Sequence, residues 1–147
     1  MRDSVSRSKN QNGFAHMVDE TKIRPLRVFL VEDSAHVRDL LLDFLHVPGE
    51  VEIVGYADNE AESVAALIAN PVDAVIVDLK LREGSGMGVI ESLRGANLNP
   101  RPEIIVFTNH PFPEIRKRAM TLGADYFFDK SADYDGVRTT LQAMRTH

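Results

Sequence analysis

Apolar residues fall along this chain in two rhythms that take turns. Short unbroken apolar runs alternate with longer stretches in which apolar residues recur every three or four positions. The runs read as strands buried on both faces, and the spaced stretches read as amphipathic helices. The clearest run is Ala74-Val75-Ile76-Val77, three of whose residues are β-branched, and it ends on Asp78. Leu26 to Val31 gives a first strand. Val51, Ile53, Val54 and Tyr56 give a second, Ile104 to Phe107 a fourth, and Tyr126-Phe127-Phe128 a very short fifth.

Between them the helical spacing recurs. Val37, Leu40, Leu41, Phe44 and Leu45 make one apolar stripe, with Ser34 placed to cap it. Asn59 starts a second helix carrying Ala61, Val64, Ala65, Leu67 and Ile68. Val89, Ile90 and Leu93 belong to a third, after the break at Gly84-Ser85-Gly86 and before Gly95. Pro113 opens a fourth, with Ile115, Ala119, Met120 and Leu122, and Gly123 suits its last turn. Val137, Leu141 and Met144 mark a fifth.

Strand and helix thus alternate five times. Each crossover is long enough for a right-handed βαβ unit. The predicted fold is α/β: a doubly wound five-stranded parallel sheet, flavodoxin-like, with strand order 2-1-3-4-5. Residues 1–24 are rich in Ser, Asn, Lys and Arg and lack the periodicity, so they read as a mobile N-terminal extension, with residues 25–147 as the folded domain. No second domain is expected after the fifth helix.

Composition narrows the class. The 147 residues are 44% hydrophobic and 27% charged, as in a globular domain. The absence of cysteine excludes disulfides and thiolate metal sites. No run approaches the roughly 18 apolar residues of a membrane span. The first residues lack the apolar core of a signal peptide, so a cytoplasmic protein is expected. Residues 1–24 hold five Lys/Arg against three Asp/Glu, a net of +2, which leaves −7 of the overall −5 on the rest. An acidic body disfavours direct DNA binding, which needs clustered Lys and Arg for phosphate contacts.

The chemistry lies at the strand ends. Strand one runs into Glu32-Asp33, strand three into Asp78, strand four into Thr108, and strand five into Lys130. In an open parallel sheet these ends share one edge, where ligands bind. Three carboxylates so close cannot all stay ionised cheaply, and one of their pKa values should rise. A hard dication relieves this, and oxygen-only ligands suit Mg²⁺. Lys130 supplies a point charge for a phosphoryl oxygen, and Thr108 supplies a hydroxyl donor. A carboxylate can attack phosphorus and form an acyl phosphate. The set argues for phosphoryl transfer onto Asp78.

On these residues the chain resembles the receiver domain of two-component response regulators, of the stand-alone, single-domain type. The resemblance runs from about Leu26 to His147 and rests on Glu32-Asp33, Asp78, Gly86, Thr108 and Lys130, in that order on the matching elements. It implies that Asp78 is the phosphate acceptor. It implies that Asp33 and Asp78 bind Mg²⁺ directly, Glu32 through water, and Lys80 through its carbonyl. It implies that Thr108 and Phe127 form a switch pair, with Phe127 turning inward as Thr108 moves toward the phosphoryl group. Lys80 is also long enough to lie over the site or to pair with Glu32. The implied donor is a histidine kinase or a histidine phosphotransfer protein, and the implied output is binding of a protein target. Such a domain catalyses only its own phosphorylation and slow dephosphorylation.

Two positions depart from the family pattern. Ser131 stands where many receivers have proline after the lysine, and Arg82 stands where proline is common in the loop after the acceptor. A cis bond before Ser131 would cost about 2.5–4 kcal/mol, so a trans bond is expected. Gly84-Ser85-Gly86 lacks the lysine of a P-loop and reads as a turn. His36, His46 and His110 share no metal-ligand spacing. Arg116-Lys117-Arg118 reads as a solvated helix face or part of a docking surface. Three rival functions stay open: a phosphorylation-independent binding module on the same fold, the receiver part of a longer regulator, and a small phosphatase or flavodoxin-like nucleotide enzyme. The last lacks a glycine-rich phosphate loop and a separate general acid.

Overall fold

A computed structural model describes residues 24–145. The mobility expected of residues 1–23 lies outside the described residues. Strands β1 (Leu26–Val31), β2 (Val51–Ala57), β3 (Ala74–Val77), β4 (Glu103–Thr108) and β5 (Tyr126–Asp129) alternate with helices α1 (Ala35–Leu45), α2 (Glu60–Ala69), α3 (Gly86–Gly95), α4 (Pro113–Leu122) and α5 (Tyr134–Arg145). All neighbouring strands pair in parallel, in the order β2-β1-β3-β4-β5. This is the doubly wound sheet that the apolar rhythm predicts.

The period of two along each strand divides the core into two layers. Phe29, Val31, Val75, Val77, Ile104 and Val106 face α2, α3 and α4. Val28, Leu30, Ile76, Ile105 and Phe107 face α1 and α5, where Leu41, Leu45, Val137 and Leu141 meet them. The central strand is buried at every residue because both layers cover it. β2 is an edge and stays partly open, with Val54 and Tyr56 exposed.

The caps sit where the sequence puts them. Ser34, Asn59 and Ser85 accept the N–H groups of Val37, Glu62 and Gly88, closing the first turns of α1, α2 and α3. Gly123 ends α4 at φ +122°, a backbone conformation that side chains avoid. Two apolar stripes differ from the reading of the sequence. Leu40 of α1 lies at the margin of its stripe and is exposed. In α2 the buried line is Ser63 and Leu67, while Ala61, Ala65 and Ile68 face outward. Ser63 tolerates full burial because its hydroxyl donates to the Asn59 carbonyl at 2.6 Å.

Register decides where the chemistry goes. Val31 pairs with Val77, and Val77 with Val106, so β1, β3 and β4 end close to one level. The Asp78 N–H donates to the Val31 carbonyl at 2.9 Å, and the Lys130 N–H donates to the Thr108 carbonyl at 2.8 Å. Each of these two residues is therefore the last rung of the sheet before its chain turns away.

Candidate functional site

The level strand ends bring Glu32, Asp33, Asp78, Thr108 and Lys130 to one edge, as the sequence predicts. One carboxylate oxygen from each of Glu32, Asp33 and Asp78 lies within 4.8 Å of the others. Glu32 and Asp78 are buried and Asp33 is exposed. Lys130 Nζ closes the site from the β5 side. It donates at 2.8 Å to Glu32 Oε1 and at 2.8 Å to Asp78 Oδ2. The pairing of Glu32 thus falls to Lys130 and not to Lys80. Lys80 is exposed and meets Ser85 through an isolated backbone bridge.

The electrostatics follow from burial and from this one cation. Burial pushes the Glu32 carboxyl above its ordinary range; Lys130 and the Ser34 N–H oppose that, and Asp78 adds to it. The sequence argument expects a raised carboxyl from crowding of like charges. Here loss of solvent is the larger cause. For Lys130, burial is also the largest effect and favours the neutral amine. Hydrogen bonds and charge attraction from Asp78 and Glu32 together outweigh it and hold the ammonium above its ordinary value. The lysine therefore stays charged, and the two buried carboxylates keep their counter-ion.

Asp78 has one oxygen held and one to spare. Oδ2 accepts from Lys130, whereas Oδ1 is buried without a hydrogen-bond partner among the described residues. A buried anionic oxygen left unpaired is costly unless something electropositive takes it up. The donor set fits a hard cation. Two oxygens on one Mg²⁺, each at about 2.1 Å, stand at most about 4.2 Å apart, so modest side-chain rotation gathers the three carboxylates. Glu32, Asp33 and Asp78 are the groups gathered here that could hold it. Bound there, it supplies positive charge against a transferring phosphoryl group.

The remaining members sit nearby in less committed poses. Thr108 is fully buried, and its Oγ1 accepts from the His110 N–H at 3.2 Å. Phe127 is only 9% exposed and packs with the layer facing α2, α3 and α4. The Arg116 guanidinium lies 5.7 Å from the centre of its ring. The ring is thus already inward in this structure. The Lys130–Ser131 bond is not among the cis peptides, in line with the trans expectation. Gly86 abuts the end of β3. A Cβ there would collide with the Asp78 carbonyl and come within 2.8 Å of Leu79 Cα, so only glycine lets α3 start so close to Asp78.

Two side chains that serve the site were not singled out in the sequence. Arg38 of α1 donates from Nη1 to the Glu32 carbonyl at 2.9 Å. Its sequence signal is faint: a cation near the N-terminus of a helix opposes the helix dipole and suggests employment elsewhere. Glu60 of α2 accepts from the Ser85 N–H at 2.9 Å, tying α2 to the loop that follows Asp78. Arg82 joins the same two loops by pairing with Asp58 at 2.7 Å, and Asp58 is held below its ordinary carboxyl range chiefly by that bond.

Fold and site together define a flavodoxin-like α/β domain with an acidic, lysine-closed site at the carboxyl edge of its sheet. The chain belongs to the response regulator receiver domain family, whose model matches residues 28–142. Solved structures agree on the fold. The signal receiver domain of the response regulator NarL from Mycobacterium tuberculosis is 22% identical, with a TM-score of 0.75, covering 83% of this chain and 97% of that one. The response regulator domain of Thermotoga maritima CheB is 22% identical at a TM-score of 0.71, covering 83% and 94%. A chain of the Borrelia burgdorferi CheX–CheY–BeF3–Mg²⁺ complex is 18% identical at 0.73, covering 82% and 90%. Phosphorylation-dependent signalling is the general business of this family, whose members bind Mg²⁺ at an acidic cluster and work with kinases and phosphotransfer proteins. No helix among the described residues is long and apolar enough to cross a membrane.

The metal site carries a direct expectation. Mg²⁺ raises the melting temperature of the wild-type chain, since a ligand at 100 times its Kd stabilises by about 2.7 kcal/mol. Asp33→Ala removes the candidate ligand that is exposed and unpaired with Lys130, so the Mg²⁺-dependent rise is expected to disappear while the metal-free melting temperature holds. Equal Mg²⁺ shifts in the two proteins would place the cation elsewhere.

Proposed function

We propose that the chain is a phosphorylation switch that accepts a phosphoryl group on Asp78 from a histidine kinase or histidine phosphotransfer protein. The observation that carries this reading is the state of the Asp78 carboxylate. Lys130 holds Oδ2, and Oδ1 is buried with no hydrogen bond among the described residues. The Asp78 carboxylate is thus the nucleophile, offering phosphorus one oxygen while the other meets the cations. It forms a bond to phosphorus as the phosphorus–nitrogen bond of the donor phosphohistidine breaks, and the imidazole leaves. Charge on the transferring group is met by Lys130 and by the Mg²⁺ that Glu32, Asp33, Asp78 and the Lys80 carbonyl would hold.

Output follows from a change in partner affinity and not from further chemistry. Thr108 is the hydroxyl at the site: its Oγ1 accepts from the His110 N–H, which leaves its own O–H to donate to a phosphoryl oxygen. The space it vacates borders β5. Phe127 already fills the inward position under Arg116, so the family-style swing of this ring is replaced here by a tightening around a ring already in place. The phosphorylated surface then binds a protein target. A neighbour from Staphylococcus aureus is described as a DNA-binding response regulator. Direct DNA binding is no part of the reading for this chain, whose acidic charge outside residues 1–24 opposes it. The protein acts on no separate substrate; its catalysis is confined to its own phosphorylation and slow hydrolysis, in the cytoplasm.

The test uses Mg²⁺ with a small acyl or amido phosphate donor. The expected result is one base-labile phosphoryl adduct, located on Asp78 by peptide mass spectrometry. A chain that stays unlabelled under these conditions, or is labelled elsewhere, refutes the reading. Structures with and without beryllofluoride and Mg²⁺ check the output step. Thr108 is expected to turn toward the beryllium fluoride while Phe127 keeps its rotamer; a Phe127 ring that flips outward refutes the tightening described above.

A further inference from the structure

Three carboxylates form the site, yet only two are held in place by side-chain bonds. Glu32 and Asp78 both accept from Lys130. The Asp33 side chain is exposed and has no hydrogen bond among the described residues. Its position must come from its backbone.

That backbone is clamped from two sides. The Glu32 N–H donates to the Ala57 carbonyl of β2 at 3.1 Å. The Glu32 carbonyl accepts from Arg38 Nη1 at 2.9 Å. The carbonyl of Glu32 and the nitrogen of Asp33 belong to one planar peptide, so holding the first orients the second. The Arg38 guanidinium is itself seated over the ring of Tyr56, 4.1 Å from its centre. Helix α1 and edge strand β2 thus meet through one side chain at the peptide that leads into Asp33.

We infer that Arg38 is a positioning residue for the acidic site, which sets Asp33 against Asp78 through the Glu32–Asp33 peptide and uses Tyr56 as its seat. The inference rests on the metal and phosphoryl reading above. At this position geometry and charge pull in opposite directions. Arg38 adds positive charge beside a cation site, and charge alone weakens Mg²⁺ binding. Positioning strengthens it.

Calorimetric titration of the full chain with Mg²⁺ therefore separates the two. Arg38→Met is expected to bind Mg²⁺ roughly tenfold more weakly, the scale on which supporting contacts act at metal sites. Arg38→Lys keeps the charge but loses the planar fork, and is expected to bind more weakly than wild type as well. Tyr56→Phe retains the ring and binds as wild type does. Adduct formation in Arg38→Met should need more Mg²⁺ and approach the wild-type rate at saturation, a shift that simple loss of stability would not give. Melting temperature in chelator controls for folding. Should Arg38→Met fail to fold, Tyr56→Ala removes the seat from the far side and is expected to weaken Mg²⁺ binding. Mg²⁺ binding that is unchanged or tighter in Arg38→Met, or unchanged in Tyr56→Ala when that variant is the one in use, overturns the inference and leaves the phosphoryl reading intact. A wild-type chain that binds no Mg²⁺ and takes up no phosphoryl group overturns both.

Discussion

Asp78→Asn takes up no phosphoryl group under conditions that label the wild-type chain. The amide fills nearly the same space, and its oxygen can still accept from Lys130 Nζ. What it lacks is the anionic Oδ1 that the fold leaves buried and without a hydrogen bond. An amide nitrogen there has no lone pair to offer phosphorus. Two effects on stability oppose each other. Loss of one carboxylate relieves repulsion against Glu32, while the new N–H group is left without an acceptor at a cost of about 1–3 kcal/mol. The metal-free fold should therefore survive, checked by circular dichroism, and the loss of labelling is a loss of chemistry. Labelling that persists in Asp78→Asn moves the acceptor to another residue.

The second large effect is on stability. Lys130→Met removes the cation shared by Glu32 and Asp78, both buried. Breaking a buried ion pair from one side costs about 3–5 kcal/mol, because the partner charges remain without compensation. Here two carboxylates are stranded. The pH window in which stability is lost then moves from the alkaline side to the carboxyl range. In wild type, Lys130 has a raised folded-state pKa, so its contribution is present through neutral pH and is lost only as pH rises past that value. In Lys130→Met the carboxyl of Glu32, already raised by burial, loses the bond that opposes burial. The folded state then binds the proton still more tightly, relative to the unfolded state, than it does in wild type. Stability of the variant falls as pH rises through the carboxyl range and recovers on mild acidification. Mg²⁺ should also rescue it more than it stabilises wild type. Denaturant titrations across pH, with and without Mg²⁺, measure both. A midpoint within experimental error of wild type at neutral pH without metal would show that the pair carries no stability.

Much of this site was legible because it hangs on strand ends. The runs that end at Glu32, Asp78, Thr108 and Lys130 are apolar enough to be strands under any arrangement, and parallel topology sends their ends to one edge. Longer-range choices were not legible. Glu32 has two lysines within plausible reach in sequence terms, and only the register of β5 beside β4 selects Lys130 over Lys80. The buried face of α2 was misread because Ser63 looks polar, and its hydroxyl is satisfied inside its own helix. Arg38 left only a faint trace because its target is a backbone carbonyl, which has no signature in a sequence. Phe127 was placed correctly on its strand, but its burial in the core with Arg116 near its ring is a tertiary contact that no pattern along the chain reports.

The last-rung placement of Asp78 has a mechanical consequence. Behind it, β3 is gripped by β1 and β4 and covered on both faces, so the backbone on that side is stiff. Ahead of it, the chain enters the segment from Leu79 to Ser85, pinned at Gly86 against the acceptor's own carbonyl and at Ser85 by Glu60. Bulk added to the Asp78 carboxylate would meet this stiff backbone on one side and the arch from Leu79 to Ser85 on the other. Displacement must run forward into the arch, and through Glu60 into the start of α2, because close-packed strands transmit load without yielding to it. Asp78 thus stands at the fixed end of a lever whose other arm is the loop it opens.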